Sequence, residues 1–359
     1  MAEMRCCDEW QPVLVMVTID FALAVVNILL KKIIDEGIDH LVLITYRTSI
    51  SAAFLTPIAY FWERKRRPSL TRGLLCYLFV SAMLGATLTQ YFFFLGMQYT
   101  SATFACAFIN MVPVITFVMA LPFGLETVDL KSKPGKAKVL GTIVCVGGAM
   151  LLTFYKGIPL TNQSSHSRPA SANMTNQAHG LSQNQKGAER WTIGSLSLIA
   201  GALFWSAWFL VQAKISKKYP FQYSSTAIMS FFGALQSATL SSIIHRDIHI
   251  WIVKGKIKIL MVLYTGIVGS GLCYVGMSWC VKKRGPLFTA AFSPLIQIIV
   301  AMFDISILHG KLYLGSVLGS ILVIIGLYLL LWGKSNEVKL CDAKPTQTTD
   351  EEGGPVPPA

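Results

Sequence analysis

Charge is what this sequence has least of. Only 14% of its 359 residues are Asp, Glu, Lys or Arg, against about 25% in soluble domains, which excludes an ordinary water-soluble enzyme. Acids are scarcer still, 18 against 31 basic residues, for a net charge of +13. That balance could serve nucleic acid, but the basic residues sit in short clusters between apolar stretches, the pattern of cytoplasmic loops. No nucleic-acid partner is expected. Histidine is rare as well: His40, His166, His179, His245, His249 and His309 fall in loops or at the ends of apolar runs, with no carboxylate cluster beside them. HExxH, GxSxG, a P-loop and Cys/His metal spacing are all missing. The sequence therefore offers no catalytic residue, no metal site and no cofactor, and no enzymatic activity is expected. The eight cysteines do not make a disulfide framework. Cys76, Cys106, Cys145, Cys273 and Cys280 lie within apolar runs, where a thiol behaves as a small hydrophobe. Cys6 and Cys7, just ahead of the first run, are candidates for palmitoylation, with unmodified thiols the plainer reading. A cleavable signal peptide is not expected, because Glu3, Asp8 and Glu9 outnumber Arg5 ahead of a run long enough to span.

What is abundant is apolar sequence, 53% of the chain. A bilayer core takes about 20 apolar residues of helix. Runs of that kind occupy 11–31, 41–62, 73–96, 102–121, 139–155, 193–212, 222–244, 257–280, 287–308 and 312–332, the fifth being short. Lipid gives backbone groups no partner outside their own segment, so each run is expected to be a helix. The expected fold is an all-α membrane protein with ten transmembrane helices. With the N-terminus cytoplasmic, 19 of the 31 Lys and Arg fall in inside segments and 11 in outside ones, Arg47 lying within a span. This bias places both termini in the cytoplasm.

The organisation expected from these runs is a cytoplasmic N-terminus (1–10), a first bundle (11–155), a polar extracytoplasmic linker (156–192), a second bundle (193–332) and a disordered cytoplasmic tail (333–359). The linker is rich in Ser, Asn, Gln and Gly and carries two glycosylation triplets, at Asn162 and Asn173. Such triplets also arise by chance.

The two bundles repeat one another. TFACAFIN (103–110) lines up with LFTAAFSP (287–294) at an offset of 184, which also sets Gly85 on Gly269, Leu88 on Leu272 and Gln90 on Tyr274. KVLGTIVCVGGA (138–149) matches SVLGSILVIIGL (316–327) at an offset of 178, the difference falling in a loop, where insertions are tolerated. Five spans per copy is an odd number, so the second copy enters the membrane from the opposite side. Such inverted repeats are the architecture of many secondary transporters, with the binding site near the midplane where the copies meet.

An ionisable residue inside a span is a functional hypothesis by default. Asp20 lies near the middle of the first span and Arg47 about six residues into the second, depths that differ by roughly 7–8 Å at 1.5 Å per residue. Two readings stay open: a structural Asp20–Arg47 ion pair, or an Asp20 that faces the central cavity and meets a substrate ammonium group or a proton. Asp304, near the end of the ninth span, is expected to snorkel to the interface. Asn27, Gln90, Asn110, Trp205, Tyr274, Trp279 and Gln297 occupy spans that would line the repeat interface. Amides and indoles there can bind a zwitterion through hydrogen bonds and a cation–π contact, although helix packing is the plainer use of any single one. Gly315 and Gly319 form a GxxxG motif, read as close packing within the bundle, with a homodimer as the alternative.

Several strings carry a family resemblance. YRTSISAAFLTPIAYFWERKRRP (46–68), TSATFACAFINMVPVITF (100–117), VLGTIVCVGGAMLLTFYKG (139–157), KRGP before the ninth span, and LYLGSVLGSILVIIGLYLLLWGKS (312–335) resemble plant nodulin-21-like, EamA-type transporters. These belong to the drug/metabolite transporter superfamily and are also called Walls-Are-Thin-related or UMAMIT proteins. The match runs from Pro12 to Ser335. It implies two inverted five-helix EamA repeats that move amino acids, in both directions with a bias to export, across the plasma membrane. The wording of spans two to five is similar to the branch of amino-acid facilitators that release amino acids into the apoplast. A sister branch carries auxin at the vacuolar membrane. In many EamA repeats the fourth helix ends in a Gly-Glu pair; this chain has Gly124-Leu125-Glu126 in the first copy and His309-Gly310-Lys311, without the acid, in the second.

Overall fold

The structure is a computed structural model that describes residues 2–63, 65, 68, 70–100, 102–126, 131–155, 180–244, 248–253, 255–307 and 314–342. Among the described residues every regular element is helical. In chain order these are α1 (Ala2–Asp35), α2 (His40–Glu63), α3 (Arg72–Ala82), a π-helical segment (Met83–Leu88), α4 (Thr89–Tyr99), α5 (Ala102–Ala120), α6 (Lys133–Phe154), α7 (Gly180–Lys218) and α8 (Gln222–Ile244). A 3-10 turn (Ile248–Trp251) then leads to α9 (Lys256–Tyr264), a second π segment (Thr265–Leu272), α10 (Cys273–Arg284), α11 (Pro286–Ala291), α12 (Ser293–Ile307) and α13 (Leu314–Asp342).

Local chemistry sets several of the boundaries. Asp39 Oδ1 accepts from the Leu41 and Val42 amides at 2.9 and 3.2 Å and so caps α2. Ser132 Oγ accepts from the Gly135 amide at 3.1 Å at the start of α6, with Pro134 in the first turn. Between α10 and α11 the chain turns at Gly285, whose φ of 88° favours glycine, and Pro286 opens the next helix.

Among the described residues seven helices are long and apolar enough to cross a membrane: Trp10–Ile34, His40–Glu63, Arg72–Tyr99, Arg190–Lys218, Gln222–Ile244, Lys256–Arg284 and Val317–Glu337. Phe108–Ala120 and Pro286–Val300 are shorter apolar helices. The third and eighth expected spans are interrupted by the π segments. The ninth is broken at Phe292, because Pro294 has no amide to continue the ladder. The polar stretches also depart from expectation. α7 begins at Gly180, inside the stretch 156–192 expected to lack structure, and α13 runs to Asp342, ten residues into the expected disordered tail. The reason at α13 is tertiary: Lys334 and Glu337 are held in an ion cluster. Asn162 and Asn173 lie outside the described residues, as do the side chains of Cys6, Cys7 and Asp304.

The helices associate in a swapped pattern. α2 lies along α8 and α6 along α13, while α1 contacts α10 and α12, and α7 contacts α4 and α5. Both long pairs are antiparallel. On the first, Thr45 Oγ1 donates to Ser237 Oγ at 3.0 Å and Ser51 Oγ lies 2.9 Å from Ser230 Oγ. On the second, a methyl group added to Gly148 would meet Gly319 and Leu322, and one added to Gly141 would meet Gly326 and Leu330. The Gly315–Gly319 motif is therefore used inside this chain: Gly319 faces Gly148, and Gly315 lies against the Tyr155 carbonyl. The main core gathers residues of α1, α3, α5, α7, α8, α10, α11, α12 and α13, with Trp208, Phe209 and Phe292 fully enclosed.

Candidate functional site

The π segments build the centre of the molecule. A π turn widens the helix and takes backbone carbonyls out of the regular ladder, and such turns gather at functional sites. Here each segment is met by a side chain from the other half of the chain. Tyr274 Oη donates to the Gly85 carbonyl at 3.2 Å, and Ser51 Oγ donates to the Ser270 carbonyl at 2.9 Å. Gly85 and Gly269, the pair that the sequence offset makes equivalent, are both sites of close approach. Gly85 lies against the Trp208 indole and Gly269 against Val26, with Arg47 Nη2 beside it.

Arg47, on α2, projects into this junction and is 5% exposed. Its Nη1 donates to Gln90 Oε1 at 3.3 Å, a long contact, and its Nε has no partner. The Gln90 side chain also lies beside the Tyr274 hydroxyl. Thus the two residues matched by the offset of 184 meet next to one guanidinium. An aromatic wall closes the group. Trp205 and Trp208 stack at 4.9 Å, and the Tyr274 ring stands edge-on to them at 5.9 and 5.1 Å. Gln90 and Trp205 are half-buried, while Arg47 and Tyr274 are buried.

Of the residues singled out in the sequence, Arg47, Gln90, Tyr274 and Trp205 come together. Asn110 and Gln297 form a separate pair: Asn110 Nδ2 donates to Gln297 Oε1 at 2.7 Å and to Thr153 Oγ1 at 3.1 Å, and Gln297 Nε2 reaches the same hydroxyl at 3.1 Å. Asn110 Oδ1 is left without a partner. Asn27 is exposed on α1, and Trp279 is half-buried with Lys283 over its ring at 5.8 Å; neither joins the central group. Asp20 is 1% exposed, yet no ion pair joins it to Arg47. Cys273 lies between them, close enough to feel both charges. Similar depth alone did not bring the two side chains together. The Oδ2 atom of Asp20 has no hydrogen-bond partner.

Comparison with known proteins gives the family. The family model described as "EamA-like transporter family" matches residues 10–154 and again 192–332. The chain belongs to the EamA-like transporter family. Within it, the chain is similar to WAT1-related proteins of Arabidopsis thaliana. It is 51% identical to WAT1-related protein At3g30340 over 91% of this chain and 88% of the relative, and 50% identical to WAT1-related protein At4g01440 over 93% and 89%. A solved structure, titled only as the crystal structure of a protein, superposes with a TM-score of 0.64 at 14% identity, covering 91% of this chain and 98% of its own; that likeness shows the fold alone. This EamA-type chain is thus a multi-pass membrane transporter.

Sequence reading passed over several residues of this EamA-type chain. Trp208, fully buried beside Trp205, was one. Gln212 was another: its Nε2 donates to Ser278 Oγ at 2.7 Å, and its Oε1 accepts from Ser81 Oγ at 3.4 Å, tying α7 to α10 and α3. The largest omission was the setting of Glu126. Its two carboxylate oxygens take Lys138 Nζ (3.2 Å) and Lys334 Nζ, Lys138 also pairs with Glu337, and Lys334 donates to the Arg284 carbonyl at 2.7 Å. Lys138 is 0% exposed.

Proposed function

We propose that this transporter is a ten-span facilitator of amino acids that works by alternating access between two inverted five-helix halves. What carries the reading is the meeting of Gln90 and Tyr274, equivalent residues of the two halves, beside the buried Arg47. Polar groups that face one another across a repeat interface belong where inverted-repeat transporters bind substrate. Equivalent helices packed antiparallel, α2 on α8 and α6 on α13, fit halves related by an axis in the membrane plane. The bipolar character of an amino acid suits a guanidinium set against an aromatic wall that can take an ammonium group or an apolar side chain.

The direction is bidirectional with a bias to export, and the membrane is the plasma membrane, both from the resemblance of spans two to five to the amino-acid facilitator branch. A second reading, an auxin carrier of the vacuolar membrane, is favoured by one feature, the stacked indoles of Trp205 and Trp208 against the Tyr274 ring, an aromatic surface that suits an indole carboxylate. The experiment is efflux from liposomes holding the purified full-length protein, loaded with a labelled amino-acid mixture or with labelled indole-3-acetate. Amino-acid efflux down its gradient without added energy supports the facilitator. Indole-3-acetate efflux alone supports the second reading, and silence for both overturns the substrate assignment.

A further inference from the structure

We infer that Arg47 is the residue that binds the substrate's carboxylate, and that the site therefore selects carboxylate-bearing molecules. This rests on reading the centre as the transport site. Arg47 is buried in the bundle and pairs with no acid among the described residues. Asp20, the nearby acid of similar depth, makes no ion pair with it. A guanidinium offers five N–H donors in a planar fork, and its best partner is a carboxylate held by two parallel bonds. Gln90 occupies Nη1. The edge left over is Nε with Nη2, one of the two edges that present paired donors to a carboxylate. Nε has no partner, and Nη2 lies beside Gly269, where a side chain would stand 3.4 Å from it.

Burying a charge without a counterion is strongly unfavourable, so an arginine used only for packing would be expected to find an acid or to turn outward. Here the surroundings supply no acid to that edge: Gly269 lies beside Nη2, the Gln90 amide takes the far nitrogen, and the Tyr274 hydroxyl is committed to the Gly85 carbonyl. A carboxylate is the chemistry shared by amino acids and indole-3-acetate, so the assignment does not depend on which of them is carried.

The test uses the full-length protein in liposomes and asks how well L-leucine and indole-3-acetate, each against its methyl ester, compete with the labelled substrate. Loss of a charge-assisted hydrogen bond is worth about 10- to 100-fold. The wild type should prefer the acid over the ester by that order, Arg47→Gln should bring the ratio close to one, and Arg47→Lys should keep part of it. A monodisperse Arg47→Gln protein that retains the wild-type preference overturns the proposal. If Arg47→Gln does not fold, Arg47→Lys is decisive, since the single charge of lysine lacks the paired edge; an unchanged acid-to-ester ratio in it overturns the proposal equally. Failure of the substrate reading is separable. If the wild type moves neither compound, thermal unfolding is followed with acetate, butyrate and benzoate against their amides. A shift by the acids that Arg47→Gln removes keeps the carboxylate site while the amino-acid reading falls, and no shift removes both.

Discussion

Where α6 meets α13, Lys138, Glu126, Lys334 and Glu337 satisfy one another. At the centre of the same bundle, Arg47 and Asp20 are as deeply buried, yet Nε of one and Oδ2 of the other have no partner. The contrast separates two uses of charge in a membrane protein. A buried ion that only holds helices together needs its counterion from the chain, because desolvation otherwise exceeds what it gains. One left incomplete in the middle of the bundle is free to receive something from outside, which is why intramembrane charges mark transport pathways. Between the two lies the Asn110–Gln297–Thr153 group, with three mutual hydrogen bonds and one idle carbonyl oxygen.

The largest effect is expected at the completed cluster. Glu126→Ala withdraws the carboxylate that both lysines share and leaves the Arg284 carbonyl as the remaining hydrogen-bond partner of Lys334 among the described residues. Breaking a buried pair from one side is worth about 3–5 kcal/mol, and thermal unfolding of the detergent-solubilised protein should register a loss of that order. Glu126→Gln keeps the shape and part of the hydrogen bonding, and should fall between the two. A Glu126→Ala protein as stable as the wild type would erase the distinction between the two regions.

Next in size is the glycine seam that brings α13 close enough for Lys334 to reach Glu126. A methyl group on Gly326 would stand 2.3 Å from the Cys145 amide nitrogen, and backbone cannot step aside as a flexible side chain does. Gly326→Ala should therefore cost about 1–3 kcal/mol. Gly147 on α6 is the control, since nothing lies within 4 Å of its added methyl. There alanine should leave stability unchanged or raise it by up to about 1 kcal/mol, the helix-propensity gain over glycine. Equal effects at the two positions would deny the seam its role.

The same contrast explains what could be read from sequence. Apolar runs report lipid exposure directly, so α8 begins and ends where its run does and α2 differs by one residue at each end. The offset of 184 set Gln90 on Tyr274 in the alignment, and the fold brings the two side chains together, a contact the offset alone did not predict. Composition carried no sign of the π segments, because a π turn depends on what fills the space beside it, here Trp208 against Gly85 and Val26 against Gly269. The partners of Glu126 were equally hidden. Lys138 and Lys334 look like ordinary loop and tail lysines until α13 extends past Trp332 and brings them to one acid. Depth along a helix predicted an Asp20–Arg47 pair among its readings, but depth says nothing about which face a side chain occupies.

Asp20 gives the smallest expected change in stability and the sharpest test of the comparison. No group donates a hydrogen bond to Oδ2, its ion-pair partner is missing, and its neighbours along α10 include the thiols of Cys273 and Cys280. Replacing the carboxyl by an amide of the same shape breaks no ion pair, so Asp20→Asn should unfold within about 1 kcal/mol of the wild type, in contrast to any change at Glu126. Its effect on transport should appear in the pH profile. A carboxylate that Arg47 does not hold charged is available to take and release a proton during the cycle. Efflux by the wild type should then vary with pH, and efflux by Asp20→Asn should be flat over the same range. A folded, transporting Asp20→Asn protein with an unchanged pH profile would place Asp20 outside the cycle. The incomplete centre would then be reduced to Arg47 and the groups around it.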